Sequence, residues 1–174
     1  MCAIFTPAID TPRLKLRRLR SDDAVALARL ADDFEVARMV ATMPHPYTIE
    51  DADAFIAAQT RPEAEPVFAV DPPSFGLIGM VGFHRGDEPY REVGYWLGRT
   101  YWGRGFATEA LTGALDWARD VGGARAIVSA HFDDNPPSGR VLTKAGFLYT
   151  GVVKPRRSAA RAAEARTRMM IWLA

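Results

Sequence analysis

The run Tyr101-Trp102-Gly103-Arg104-Gly105-Phe106-Ala107-Thr108-Glu109-Ala110 constrains this chain more than any other stretch. It joins a short β-type segment, Val93 to Leu97, to a long amphipathic one, Gly105 to Val121. In that second segment Leu111, Leu115 and Ala118 fall in line at helical spacing, and Gly122-Gly123 closes it. A strand passing through a glycine-rich turn into a helix predicts layers of sheet and helix. The turn also leaves the first helical amides without internal partners, at the end where the dipole favours an anion. Gly103 and Gly105 allow the backbone to approach a ligand closely, and Arg104 adds a charge. A main-chain phosphate cradle follows from this pattern. It is not a Walker loop, having no Gly-Lys-Ser/Thr, and it is not G-x-G-x-x-G. An ordinary strand-to-helix turn has the same look, so the run needs company.

The rest of the chain supplies alternating elements. Arg13 to Arg20 alternates apolar and basic residues as a half-exposed strand does. Ser21, Asp22 and Asp23 open a helix that carries Val25, Leu27, Leu30, Phe34 and Met39 at helical spacing. Met43-Pro44-His45-Pro46-Tyr47 ends it, and Thr48 with Asp51 caps a second helix bearing Ala52, Phe55 and Ile56. Pro66 to Val70 and Phe75 to His84 read as strands joined by Asp71-Pro72-Pro73-Ser74. Ala126 to Phe132, Phe147 to Val153 and Met169 to Leu173 are further strands, and Ser138 to Ala145 is a short helix ended by Gly146. Lys154 to Arg168, rich in Arg and Ala, reads as a solvated loop. The class is mixed α/β around one sheet, in a single domain over residues 1–174.

Composition excludes several functions. Lys and Arg total 22 against 21 Asp and Glu, so no overall field favours DNA or a membrane surface. The charge is uneven, however: residues 21–65 hold ten acids and three bases, and residues 140–174 hold one acid and eight bases. Cys2 is the one cysteine, so no intrachain disulfide forms, and three scattered histidines argue against a metal site. No basic start followed by an apolar run opens the chain, and no stretch approaches the roughly 20 apolar residues of a membrane span. A cytoplasmic protein is the expectation.

Two further motifs accompany the glycine turn. Glu92-Val93-Gly94-Tyr95-Trp96-Leu97 is a strand whose glycine suggests a bulge or splayed edge with free N–H and C=O groups. Asn135-Pro136-Pro137-Ser138 opens the helix that ends Lys144-Ala145-Gly146-Phe147, where Asn and Ser also fit a simple helix cap. The ordered patterns E-x-G-Y-W-L, Y-W-G-x-G-F-A-T-E-A and N-x-x-S-x-R-V-L-x-K-x-G-F resemble those of the GNAT superfamily of acyl-CoA-dependent N-acetyltransferases. Within it they are most similar to the ribosomal-protein N-terminal acetyltransferase (RimJ/RimL-like) branch, over nearly the whole chain.

That resemblance implies a central mixed, mostly antiparallel sheet flanked by helices, with acetyl-CoA as cofactor and no metal. It implies that amides of Gly103, Arg104, Gly105, Phe106, Ala107 and Thr108 hold the pyrophosphate, with Trp102 where the superfamily usually has Gln or Arg. Gly94, Tyr95, Trp96 and Leu97 would pair with the pantetheine arm and offer an amide to the thioester carbonyl. Asn135 would bind pantetheine, Ser138 would face the sulfur, and Arg140 and Lys144 would meet the 3′-phosphate. Many members carry a tyrosine acid where this chain has Leu142. Ser138 then becomes the candidate acid, directly or through a water.

Amine attack on a thioester needs both reactants held together, a donor for the oxyanion and a base for the amine proton. Glu92, at the start of the cofactor-facing strand, is the first candidate base; a solvated strand-end charge is the other reading. His84 and His131 stand in reserve. Glu109 reads as support for the helix start, and Trp96, Trp102, Trp117 and Trp172 read as packing. His45 and Tyr47 border the acceptor site in such a fold, or lie on a surface turn. The expected reaction is acetyl transfer to a primary amine, preferably a peptide or protein N-terminus, with a small amine as the other acceptor. A catalytically weak acyl-CoA-binding regulatory module is the alternative, and a homodimer is left open. The acid residues 21–65 would then suit a cationic acceptor.

Overall fold

Phe68 and Val70 pack toward one face of a sheet and Ala69 toward the other, as the two-residue period of a strand requires. Val81 and Phe83 repeat the first face on the next strand and Met80 the second. Such strands are buried on both sides, and a helical layer on each face follows. The structure, a computed structural model, describes residues 8–61, 63–86 and 89–174; Cys2 lies outside them. The strands are β1 (Ile9–Asp10), β2 (Lys15–Arg17), β3 (Val67–Asp71), β4 (Gly79–Arg85), β5 (Arg91–Leu97), β6 (Ala126–Phe132), β7 (Leu148–Arg156) and β8 (Ala165–Leu173). They form one sheet in the order β1-β2-β3-β4-β5-β6-β8-β7. Every neighbouring pair is antiparallel except β5 with β6.

Helices α1 (Ala24–Ala31), α2 (Phe34–Ala37) and α3 (Ile49–Ala58) lie between β2 and β3, α4 (Phe106–Asp120) between β5 and β6, and α5 (Pro136–Lys144) after β6. Ala110, Leu111, Ala114, Leu115 and Ala118 of α4 bury against Leu16, Phe68, Val81 and Val93. Each fully buried aliphatic side chain contributes about 1.5–3 kcal/mol, so α4 is fixed on the sheet along its length. Leu27 and Leu30 of α1 and Ala52 and Ile56 of α3 cover the opposite face, on Ala69 and Met80. The glycine-rich turn is thereby carried at the head of a clamped helix.

Several boundaries differ from the sequence reading. The single helix expected from Val25 to Met39 is broken at Asp32-Asp33, because Asp33 turns its carboxylate back to accept from Glu35 N at 2.9 Å and caps α2. Val25 and Phe34, counted on the buried stripe, are exposed. The strand expected from Phe75 starts at Gly79, since Phe75 N and Gly76 N both bond Pro72 O in a turn. Lys154 to Arg168 is no mobile loop: β7 runs to Arg156, β8 begins at Ala165, and the link between them is pinned. Ser158, fully buried, donates to Val40 O at 2.8 Å, and Arg161 Nε donates to Arg38 O at 2.7 Å. The Thr48–Asp51 capping box at α3 forms as expected.

Candidate active site

The sheet opens between its two parallel strands. Glu92 and Val128 are the one registered β5–β6 pair among the described residues, and Ser129 Oγ donates to Val93 O at 2.9 Å in the crotch of the fork. Beyond it β5 stays paired with β4 without interruption, through Gly82 opposite Gly94. The bulge that Gly94 suggested is therefore absent; the free edge of Gly94 to Leu97 comes from divergence of β6. Into this fork opens a cleft of about 1150 Å³. All the residues expected to hold the cofactor line it except Arg104. The Arg104 guanidinium stands 5.9 Å from the Tyr101 ring, and its carbonyl accepts from Arg13 Nη1 at 3.0 Å.

At one end of the cleft the turn takes the cradle form. Gly103 and Gly105 hold φ of +73° and +80°, a region costly to side-chain-bearing residues. A Cβ on Gly103 would meet nothing within 4 Å, so its glycine serves the backbone path rather than space. The first bond of α4 runs from Glu109 N to Gly105 O, leaving the amides of Phe106, Ala107 and Thr108 ahead of it without helical partners. Trp102, half exposed rather than packed, donates from Nε1 to Leu97 O at 2.8 Å and ties the turn to the end of β5. Glu109 accepts from Thr11 Oγ1, Arg13 N and Arg13 Nε, each at 2.7 Å. Burial pushes its carboxyl up, but these bonds outweigh burial and hold it below the usual range. It is a structural tie, as expected.

Parity along β5 divides the chemistry. Val93, Tyr95 and Leu97 pack toward α4 and α5, whereas Trp96, and with it Gly94 and Glu92, faces the α1–α3 side. Asn135 caps α5, accepting from Ser138 N at 3.2 Å, and so performs the cap role weighed for it. The Tyr95 hydroxyl lies 2.8 Å from Ser138 Oγ and 3.0 Å from Ser138 O. Burial pushes the Tyr95 hydroxyl well above the ordinary tyrosine range, which keeps it a proton-bearing donor. Leu142 is fully buried in the core. A hydroxyl pair, Tyr95 with Ser138, thus stands on the cradle side of the fork.

Glu92 is buried and its two oxygens are held by Arg156 Nη1 and, at 3.0 Å, Arg156 Nη2. His84, its cross-strand neighbour, is half exposed with Nε2 at 3.9 Å from Glu92 Oε2. His131 is not available as a base: Nδ1 bonds the Phe132 carbonyl at 2.8 Å, so Nε2 accepts from Tyr149 Oη at 3.0 Å. Tyr47 lines the cleft, its hydroxyl pushed up by burial and by Asp51. His45 lies outside the lining, against Asp32 Oδ1 at 3.3 Å and the Phe34 ring. Among the described residues no cluster of three or more metal-ligating side chains occurs. Sequence reasoning missed the Tyr95 hydroxyl and Arg156 as site groups; the two-residue period of β5 was the available signal for the first, and nothing local signals the second.

Residues 13–148 match the family model described as an acetyltransferase (GNAT) domain. The chain belongs to the GNAT acetyltransferase family. It is 30% identical over 154 residues to the uncharacterized N-acetyltransferase YoaA of Bacillus subtilis, covering 85% of this chain and 86% of that protein. It is 35% identical over 81 residues to the ribosomal-protein-serine acetyltransferase of Escherichia coli, 45% of each chain. The microcin C7 self-immunity acetyltransferase MccE, solved with acetyl-CoA and AMP, shares the fold at a TM-score of 0.80 and 19% identity, over 94% of both chains. As a GNAT N-acetyltransferase the protein uses acetyl-CoA and an amine acceptor. None of its described helices is long and apolar enough to cross a membrane.

Proposed function

We propose that this enzyme, working in the cytoplasm, acetylates the N-terminal amine of a peptide or protein by direct attack within a ternary complex. The observation that carries the reading is one cleft joining both reactants' sites across the fork of β5 and β6. Its volume of about 1150 Å³ exceeds the roughly 300–1,000 Å³ usual for a single small ligand.

The amides of residues 103–108 hold the pyrophosphate, with Arg140 and Lys144 of α5 toward the 3′-phosphate. Pantetheine lies along the free edge of Gly94 to Leu97, beside the Asn135 side-chain amide. The acceptor arrives from the α1–α3 side, where Glu92, whose oxygens each keep a second lone pair beyond the Arg156 bonds, takes the ammonium proton through a water. The freed nitrogen lone pair forms the C–N bond to the thioester carbon, and a β5 amide donates to the oxyanion. The oxyanion then collapses and the C–S bond breaks; the thiolate receives its proton from Ser138, backed by the Tyr95 hydroxyl, while the second proton of the new amide nitrogen leaves through water and restores the Ser138 hydroxyl. Base and acid thus occupy opposite faces of β5, each beside the atom it serves. A small primary amine satisfies the same geometry; the partial match to a ribosomal-protein-serine acetyltransferase favours the peptide terminus.

Thiol release from acetyl-CoA, followed over peptides with free and with blocked N-termini, tests the reading. Free peptides should react and blocked ones should not. Glu92→Gln should lower kcat about a hundredfold with the acetyl-CoA KM held. Equal release from blocked peptides would sink the acceptor assignment.

A further inference from the structure

The acceptor end of the cleft, opposite the cradle, has an apolar wall and carboxylates that are mostly paired with guanidinium groups. Met39, Val40, Met43, Phe55, Met80 and Trp96 line it. Met80 and Trp96 stand side by side in the β4–β5 register, on the face covered by α1 and α3. Among the described residues five carboxylates also reach the lining, and four of them lie against guanidinium groups. Glu35 accepts from Arg38 Nε at 2.9 Å. Asp134 accepts from Arg38 Nη1 at 2.8 Å and from both Arg161 Nη atoms at 2.9 and 3.0 Å. Glu92 is held by Arg156, whereas Asp51 keeps its charge, with Oδ2 accepting from the Thr48 amide and hydroxyl. Glu65 keeps one buried oxygen without a directed hydrogen bond, yet Arg91 Nη1 stands 3.1 Å from it.

The acidity of residues 21–65, which looked suited to a cationic acceptor, is therefore offered to the cleft as free charge chiefly at Asp51, since Glu35 and Glu65 lie against Arg38 and Arg91. An acceptor with two or more ammonium groups would have to strip them of water against carboxylates that guanidinium groups or a helix cap already hold. An apolar group beside the reacting amine loses nothing by desolvation and gains contact with methionine and aromatic side chains.

We infer that the enzyme selects a primary amine borne next to an apolar side chain, such as a peptide beginning with a large hydrophobic residue, and discriminates against polyamines and basic first residues. This rests on the proposed transfer to a peptide amine and names the class of terminus taken. Rates of thiol release at fixed acetyl-CoA decide it, over peptides alike except for a first residue of Leu, Met, Phe, Lys or Asp, with spermidine alongside. The apolar termini should exceed Lys and spermidine in kcat/KM by about tenfold or more. Phe55→Ala should shrink that preference while Phe55→Leu retains it, with the acetyl-CoA KM unchanged in both. Spermidine or the Lys terminus reacting as fast as Leu would overturn this inference and leave acetyl transfer to an amine standing. No release with any amine, despite acetyl-CoA binding, would overturn the peptide-transfer reading and the inference with it.

Discussion

Tyr95 has one proton to give and two acceptors within reach, and the hydroxyl it touches has one proton of its own. If Tyr95 donates to Ser138 O, at 3.0 Å, then the Ser138 proton is spent on the Tyr95 oxygen, at 2.8 Å. If Tyr95 donates instead to Ser138 Oγ, the serine proton is free to swing toward a thiolate. The pair has two hydrogen-bond states, and a developing negative charge on sulfur favours the second. Tyr95→Phe removes the donor that supports it, at a cost near the ~1 kcal/mol of one hydrogen bond, or roughly five- to tenfold in rate. The expected result is a lower kcat with little change in the acetyl-CoA KM. In the double variant with Ser138→Ala the two losses should not add, because both act on one proton. Full additivity would show that the hydroxyls work separately.

At the level of elements, two ties hold the proposed acceptor side. Arg17 of β2 donates to both oxygens of Asp23 at 2.8 Å, ahead of α1, and also pairs with Asp71 of β3. Burial pushes Asp23 up, but the Arg17 bonds and the Arg20 amide outweigh it and hold its carboxyl below the usual range. A carboxyl depressed in the folded state contributes stability that is complete above its unfolded pKa of about 4 and is lost as pH falls through the folded value. The melting temperature should therefore drop below about pH 4, and Asp23→Asn should lose about 1.5–3 kcal/mol at neutral pH while flattening that acid limb. The second tie is Ser158, whose hydroxyl holds Val40 O in the acceptor wall. Ser158→Ala leaves that carbonyl unmet, at about 1 kcal/mol, and should raise the acceptor KM without moving that of acetyl-CoA. The glycine turn at the head of α4 was legible in the sequence because Gly103, Gly105 and the amphipathic run behind them are one local signal. The wall was not: Arg38 meets Asp134 across 96 residues and Arg161 across 123, and no local pattern encodes such pairs. The Asp32-Asp33 break hid for a related reason, since Phe34 kept helical spacing while turning to solvent.

For the molecule as a whole, part of the uneven charge of the chain is consumed by folding. Arg156, Arg161 and Arg168 of the basic last stretch meet Glu92, Asp134 and Asp133, and Arg38 joins Asp134 from the acidic third. In the proposed binding mode the affinity for acetyl-CoA rests on local fit at the glycine turn and on Arg140 and Lys144, both exposed on α5. These two contributions separate by salt. Backbone amides at a helix start act on the pyrophosphate at contact, whereas exposed cations are screened within a Debye length of about 8 Å at physiological ionic strength. A ligand at a hundred times its Kd stabilises the folded state by about 2.7 kcal/mol, which for a domain of this size raises Tm by roughly 5–10 °C. Acetyl-CoA should give a shift of that order, and the form lacking the 3′-phosphate a smaller one that is less sensitive to salt. In the double variant Arg140→Ala, Lys144→Ala the two ligands should become equivalent, while the residual shift from the cradle persists. If the wild-type protein fails to tell the two ligands apart, Arg140 and Lys144 do not read the 3′-phosphate; if the double variant loses the whole shift, the cations rather than the glycine turn carry the binding.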